Sequence, residues 1–274
     1  MQKASMPSLP TPSLSTRDLS IRFGGHVAVN QVSADFYPGS LTVIVGPNGA
    51  GKTTYFNLIS GQLSASSGSV HLAGKDITAF GAAKRTRAGI GRAFQLTNLF
   101  PHLSVIENVR LAVQSRAGIG FSIFSLWSSY QQLIERAEYY LQRVALADRR
   151  QDKVINLSHG DKRKLEVALL LALEPEVMMF DEPTAGMSVD EVPVVLDLIQ
   201  EVKNEKRKTI LLVEHKMDVV RSLADRIIVL HNGTLVADGD PVEVMASAIV
   251  QEAYLGTGIG TNSVTNSGTG VAHA

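Results

Sequence analysis

Eight residues, GPNGAGKT at 46–53, constrain this chain more than any others. They satisfy the spacing G-x-x-x-x-G-K-[ST], and their flanks matter as much as their identity. Leu41 to Val45 (LTVIV) is a short, largely apolar run, which predicts a strand. A helical stretch from Lys52 to Ile59 follows. Glycine reaches backbone conformations closed to other residues, so such a turn can aim its N–H groups inward around a polyphosphate. Gly46, Pro47, Asn48, Gly49, Ala50 and Gly51 are expected to form that cradle. Lys52 should reach the β and γ phosphates, Thr53 should bind Mg²⁺, and Thr54 should add a phosphate contact.

VMMFDEPTAG, 177–186, supplies a second half to such a site. Asp181 ends a buried apolar run, and parallel α/β sheets bind ligands at the carboxyl ends of their strands. An aspartate there is placed to hold Mg²⁺. Glu182, the next residue, can orient or deprotonate an attacking water. TILLV, 209–213, is another continuous apolar run, and His215 stands just past its end. Gln95 follows a short apolar piece and says little alone. In NLSHGDKRK, 156–164, Ser158 and Asp161 match the capping box that opens a helix. Apolar residues from Leu165 to Leu173 follow, and Pro175 closes the segment. A helix start is also a ready anion site, which raises the question of whose anion it meets.

The other segments frame these blocks. LSIRF, HVAVNQVSADF and GSVHLAG alternate as strands do. EVPVVLDLIQEVKNE has helical periodicity, and RIIVLHNGTLVADG is a hairpin turning at Asn232-Gly233. Residues 90–173 are mostly helical in pattern and are read as a lobe inserted into the α/β core. Residues 1–14 are expected to be disordered and 257–274 to be a flexible tail. Lys and Arg total 26, as do Asp and Glu, which argues against a chain built to grip nucleic acid. No cysteine is present, so disulfides and thiolate metal sites are excluded. The N-terminus lacks the apolar core of a signal peptide, and no segment approaches the ~18 apolar residues of a membrane span. A soluble chain is expected, with any membrane link made through a partner.

Five blocks occur in order: GPNGAGKTT, Gln95, LSHGD, MMFDEP and His215. Together they resemble the nucleotide-binding subunit of an ATP-binding cassette (ABC) transporter over roughly residues 15–256. RFGGHVAVN (22–30), GRAFQLTNLFPHLSVIENV (91–109), the insertion at 111–135, LSHG, DEPTAGM and AYLG (253–256) resemble more narrowly the ATPases of branched-chain amino acid importers and their urea and amide relatives. The resemblance implies an α/β P-loop NTPase core with a parallel sheet, an N-terminal antiparallel β subdomain and an inserted helical subdomain. It implies ATP and Mg²⁺ as ligands and ATP hydrolysis as the activity. Glu182 becomes the catalytic base, Gln95 contacts Mg²⁺ and the transport partner, and His215 contacts the γ-phosphate. Phe23 falls where an aromatic ring stacks on adenine.

It also answers the question left by the helix start. Two cassettes of this family, homo- or heterodimeric, pair head to tail, so Ser158 and Gly160 would meet the γ-phosphate of the ATP held by the second subunit. Further implied partners are integral membrane permeases and, indirectly, a solute-binding protein outside the membrane; nucleic acid is not among them. The implied location is the cytoplasmic face of the cell membrane. A lipopolysaccharide-transport or export cassette, and a non-transport cassette ATPase, share the layout. The chain departs from the common family pattern at His159, where a glycine is usual, at Asp161, where glutamine is usual, and at AGMS (185–188), where Ser188 replaces an aspartate.

Overall fold

The computed structural model describes residues 11–93, 99–118, 127–248 and 250–251. The chain opens with β1 (Leu14–Phe23), β2 (His26–Phe36) and β3 (Leu41–Val45), then α1 (Lys52–Ser60), β4 (Ser67–Leu72) and β5 (Lys75–Asp76). Next come α2 (Ala82–Ala88) and β6 (Ile90–Ala93), followed by α3 (Val105–Arg116), α4 (Trp127–Arg143) and α5 (His159–Ala172). Strand β7 (Val177–Asp181), α6 (Val192–Asn204), β8 (Thr209–Val213) and α7 (Met217–Leu223) return to the core. The hairpin β9 (Arg226–His231) and β10 (Thr234–Gly239) and the short α8 (Pro241–Ala246) close the fold.

Among the described residues two sheets form. One is antiparallel, in the order β2-β1-β4-β5. The other runs β10-β9-β3-β8-β7-β6 and is parallel from β9 to β6, with β10 antiparallel at its edge. Side chains alternate across a strand, so each parallel strand feeds two cores. Val43 and Val45, Met178 and Phe180, and Ile210 and Leu212 join the larger core with the helices. Ile44, Val177, Met179, Leu211 and Val213 join the other, which lies against α1 and the antiparallel sheet. Burial on both faces explains why these strands read as largely apolar runs.

The hairpin turn has positive φ at both Asn232 (49°) and Gly233 (77°), as a tight two-residue turn requires. Ser158 caps α5, its Oγ accepting from Asp161 N at 3.0 Å. The Asp161 carboxylate serves another end: it accepts from Arg149 at 2.6 Å. Ser104 caps α3 in the same way, through Glu107 N at 3.3 Å.

Two sequence boundaries shift. Leu14, expected at the end of a disordered segment, begins β1 and is fully buried, because the Ser13 N–H already bonds Phe36 O at 2.9 Å. The helical lobe, expected from about residue 90, begins after β6. Ile90–Ala93 pairs in parallel with β7, from Ile90↔Val177 to Ala93↔Phe180, and so belongs to the sheet.

Candidate nucleotide-binding site

The loop between β3 and α1 is fixed by close backbone approach. A Cβ at Gly46 would lie 2.1 Å from Leu230 O, and one at Gly51 would lie 2.4 Å from Ala28 O. Gly51 also holds φ 95°, so glycine is required there twice over. The hairpin turn braces the loop from outside: Gly233 N–H donates to Ala50 O at 3.0 Å, and Asn30 N–H donates to Gly233 O at 2.8 Å. Helix α1 starts at Lys52 with no side-chain cap on its first turn. Its leading N–H groups and its dipole therefore face the loop as an anion-binding end. At the other end of α1, the buried Arg85 donates to Leu58 O at 2.6 Å and to Ile59 O at 2.7 Å. That contact stabilises the helix C-terminus and anchors the helix that carries Lys52.

Lys52 is buried, and its Nζ donates to Gly46 O at 2.7 Å and Pro47 O at 2.9 Å. Burial lowers its pKa, while the carboxylates of Glu182 and Asp181 oppose that fall. Phosphate oxygens would reinforce the charged form in the same way. Thr53 is exposed beside it.

Asp181, the last residue of β7, is buried, and burial raises its pKa. Arg92 of β6 opposes that rise through a salt bridge from Nη2 to Asp181 Oδ2 at 2.7 Å. The same guanidinium donates through Nη1 to Asn57 Oδ1 at 2.7 Å and Ser60 Oγ at 2.9 Å. Arg92 thus ties the aspartate to the helix that follows the phosphate loop. One buried carboxylate and one exposed threonine hydroxyl suit Mg²⁺, which leaves most of its positions to phosphate and water. Among the described residues no group of three or more His, Cys, Asp or Glu side chains could hold a metal by itself.

Glu182 occupies a left-handed conformation, φ 51°, uncommon for a residue with a Cβ. Its N–H donates to Val213 O at 3.0 Å, which holds it there beyond the end of the ladder. His215 Nδ1 lies 3.9 Å from Glu182 Oε1. Glu214, the residue before His215, has a wholly buried side chain whose Oε2 lies 3.7 Å from His215 Nδ1. Its Oε1 accepts from Thr184 Oγ1 at 2.6 Å, and its Oε2 accepts from His215 N at 2.8 Å and Lys216 N at 3.2 Å.

One cleft, about 410 Å³, is lined by Phe23, His26, Ala28, Asn48 through Thr54 and Glu182. It brings together most residues singled out in the sequence. Phe23 is half exposed at its edge, and is not packed inside the sheet. Gly46 and Pro47 stand behind the cleft as acceptors for Lys52. Ser158 and Gly160 do not line it. Gly160 and His159 face the segment after β7 in their own chain: a Cβ at Gly160 would meet the Glu191 carboxylate at 2.0 Å, and His159 packs beside Gly186. Gln95 and the closing AYLG lie outside the described residues. Sequence reasoning missed Arg92, Thr184, Glu214 and His26. Arg92 carried a faint signal, as a charged residue inside a short apolar stretch; the others carried none.

A glycine-rich loop opening a helix, an aspartate ending a parallel strand of the same sheet, and an acid and a histidine just beyond define a P-loop nucleotide-binding domain. Residues 29–185 match the ABC transporter family. The chain is 37% identical over 250 residues to the high-affinity branched-chain amino acid transport ATP-binding protein LivG of Escherichia coli K12, covering 89% of this chain and 98% of that protein. It is 34% identical to the corresponding protein BraF of Pseudomonas aeruginosa, with the same coverage. Among solved structures, a nucleotide-free ATP-binding cassette from an ABC transporter superposes with TM-score 0.75 at 29% identity, covering 88% of this chain and 98% of that one. The ADP conformation of an ATP-binding cassette superposes with TM-score 0.74 at 28% identity, covering 89% and 98%. The chain belongs to the ABC transporter family.

Proposed function

We propose that this chain is the ATP-hydrolysing subunit of an ABC importer for branched-chain amino acids or a chemically similar urea- or amide-type solute. The observation that carries the reading is the shared cleft, where the phosphate loop, Lys52 and Glu182 meet at the carboxyl end of the parallel sheet. Asp181 and His215 stand at the ends of the adjoining strands. The solute class is supported by the relatives that cover nearly the whole chain.

In this reading the loop N–H groups and Lys52 bind the β and γ phosphates, and Phe23 stacks on adenine. Thr53, Asp181 and Gln95 hold Mg²⁺, which when bound neutralises charge on the phosphate oxygens. Glu182 takes a proton from the attacking water, and His215 donates to the γ-phosphate. A second cassette, head to tail, adds Ser158 and Gly160 from its own helix start, and γ-phosphate loss reopens the pair.

Among the described residues no helix is long and apolar enough to cross a membrane. Attachment to the cytoplasmic face is therefore assigned to permease partners. The apolar side chains Leu99, Phe100 and Leu103, just after Gln95 in the chain, are the candidate docking face for such a partner. Leu99 packs against the larger core, while Phe100 is 52% exposed, Leu103 39% and Ile155 51%. Phe100, Leu103 and Ile155 share one surface, because Ile155 N–H donates to Pro101 O at 2.9 Å and Val154 N–H to Leu103 O at 3.1 Å.

The test is to recover the tagged chain from detergent-solubilised membranes, identify the co-purified proteins, and measure uptake by the reconstituted assembly. The expected result is permease partners and ATP-dependent uptake of labelled leucine that unlabelled isoleucine or valine suppresses. Uptake suppressed only by urea or amides would move the solute within the proposed range. Recovery without membrane proteins would overturn the transport reading.

A further inference from the structure

We infer that Glu214 is a positioning residue for ATP hydrolysis: its buried carboxylate clamps the loop bearing His215 to the loop bearing Glu182. The inference rests on the ATPase reading above and adds to it a residue outside the cleft. Backbone pairing between β7 and β8 ends at Asp181↔Val213. One more bond, Glu182 N–H to Val213 O, extends the ladder by a residue. Past that point no backbone bond joins the two loops among the described residues, one carrying the proposed base and the other the proposed γ-phosphate donor. The Glu214 side chain takes over where the ladder stops. One oxygen accepts from Thr184 of the first loop, and the other accepts from the N–H groups of His215 and Lys216 in the second.

A buried carboxylate is costly unless hydrogen bonds satisfy it. Among the described residues no lysine or arginine pairs with Glu214, so its charge is met by one hydroxyl and two backbone donors. Charge-assisted bonds of this kind are short and directional. They hold the His215 backbone and the Thr184 side chain at fixed distance from one carboxylate. The 3.9 Å spacing of His215 Nδ1 from Glu182 Oε1 is set across this clamp. Neither clamped contact reaches the phosphate loop, so the effect belongs to turnover and not to nucleotide binding. Small misplacements of reacting groups lower rates far more than they lower affinity.

The test measures phosphate release and ATP affinity for the full chain, with melting temperature as a control. Glu214→Gln removes the carboxylate charge, so the two backbone bonds lose their charge assistance, and its amide N–H₂ has only Thr184 Oγ1 to donate to. It should lower kcat about ten-fold while KM for ATP stays within about two-fold. Thr184→Val, which removes only the hydroxyl at nearly constant volume, should lower kcat about three-fold in the same selective way. The double variant should be no slower than Glu214→Gln alone, because both substitutions break one clamp. Unchanged kcat in Glu214→Gln, fully additive losses in the double variant, or parallel falls in kcat, ATP affinity and melting temperature would each overturn the inference. Should Glu214→Gln fail to fold, Thr184→Val carries the test alone, and a normal kcat there overturns it. Failure of the underlying reading looks different: the unaltered chain would not hydrolyse ATP, or Glu182→Gln would hydrolyse it at the unaltered rate.

Discussion

Arg92→Leu is the perturbation whose size the structure fixes most closely. The substitution keeps an apolar side chain over Phe56, whose ring lies 5.5 Å from the guanidinium carbon. It removes the salt bridge that ties Asp181 to α1, and leaves Asn57 Oδ1 and Ser60 Oγ without that donor. The Asp181 side chain is only 6% exposed, so water cannot replace the lost partner. Breaking a buried pair by removing one member costs about 3–5 kcal/mol. For a chain of this size that corresponds to a fall in melting temperature of roughly 10 °C. The loss should also depend on pH. Burial already raises the Asp181 pKa above the ordinary carboxylate value, with Arg92 holding the rise in check. The native state therefore binds this proton more tightly than the unfolded chain, and the group's contribution to stability falls as pH climbs from the unfolded to the native pKa. Without Arg92 the native pKa moves higher still, so Arg92→Leu should cost more at about pH 8 than at about pH 5. Adding Asp181→Asn should recover part of the loss, since no charge is then left buried. Thermal unfolding by circular dichroism measures all three. A melting temperature unchanged by Arg92→Leu, or an equal fall at both pH values, would refute the reasoning.

The phosphate loop makes its own prediction: Gly51→Ala meets Ala28 O at 2.4 Å with φ 95°, and nucleotide titration should show ATP affinity lost even if the chain folds. Lys52→Ala should weaken ATP binding at least ten-fold by removing a charge-assisted phosphate contact, read by calorimetric titration. Ser158→Arg should leave the single chain folded, since Ser158 is exposed and losing its cap on α5 costs only about 1 kcal/mol, yet block the ATP-bound dimer that Glu182→Gln would otherwise trap; light scattering distinguishes the two states. Phe100→Asp should abolish permease association in a pull-down while ATP hydrolysis by the free chain is unchanged, since Phe100 is not among the residues lining the cleft.

What was legible in the sequence and what was not divide along a physical line. Residues 46–53, Asp181 and Glu182 stood out in the sequence because the phosphate-binding role proposed for them calls for particular residue types at short, fixed spacing. The strands at 41–45, 177–181 and 209–213 were readable because burial on both faces leaves them apolar apart from Thr42, Asp181 and Thr209. Arg92 and Glu214 were not, because a single charged residue in a sequence resembles any solvated one. Their partners stand far along the chain: Asp181 is 89 residues from Arg92, and Thr184 is 30 from Glu214. Only the sheet order, which sets β6 and β8 on either side of β7, brings them into contact. Strand β6 escaped for a related reason. Its four residues, IGRA, include a glycine and an arginine, and it becomes a strand by pairing with β7 and not by its own pattern.

The central claim, that this cleft hydrolyses ATP with Glu182 as base, is tested most directly by phosphate release from purified chain in Mg-ATP, paired with equilibrium ATP binding. The account predicts turnover by the unaltered chain and a fall of about a hundred-fold or more in Glu182→Gln, with ATP affinity preserved because Lys52 and the loop are untouched. Turnover by Glu182→Gln at the unaltered rate would contradict it.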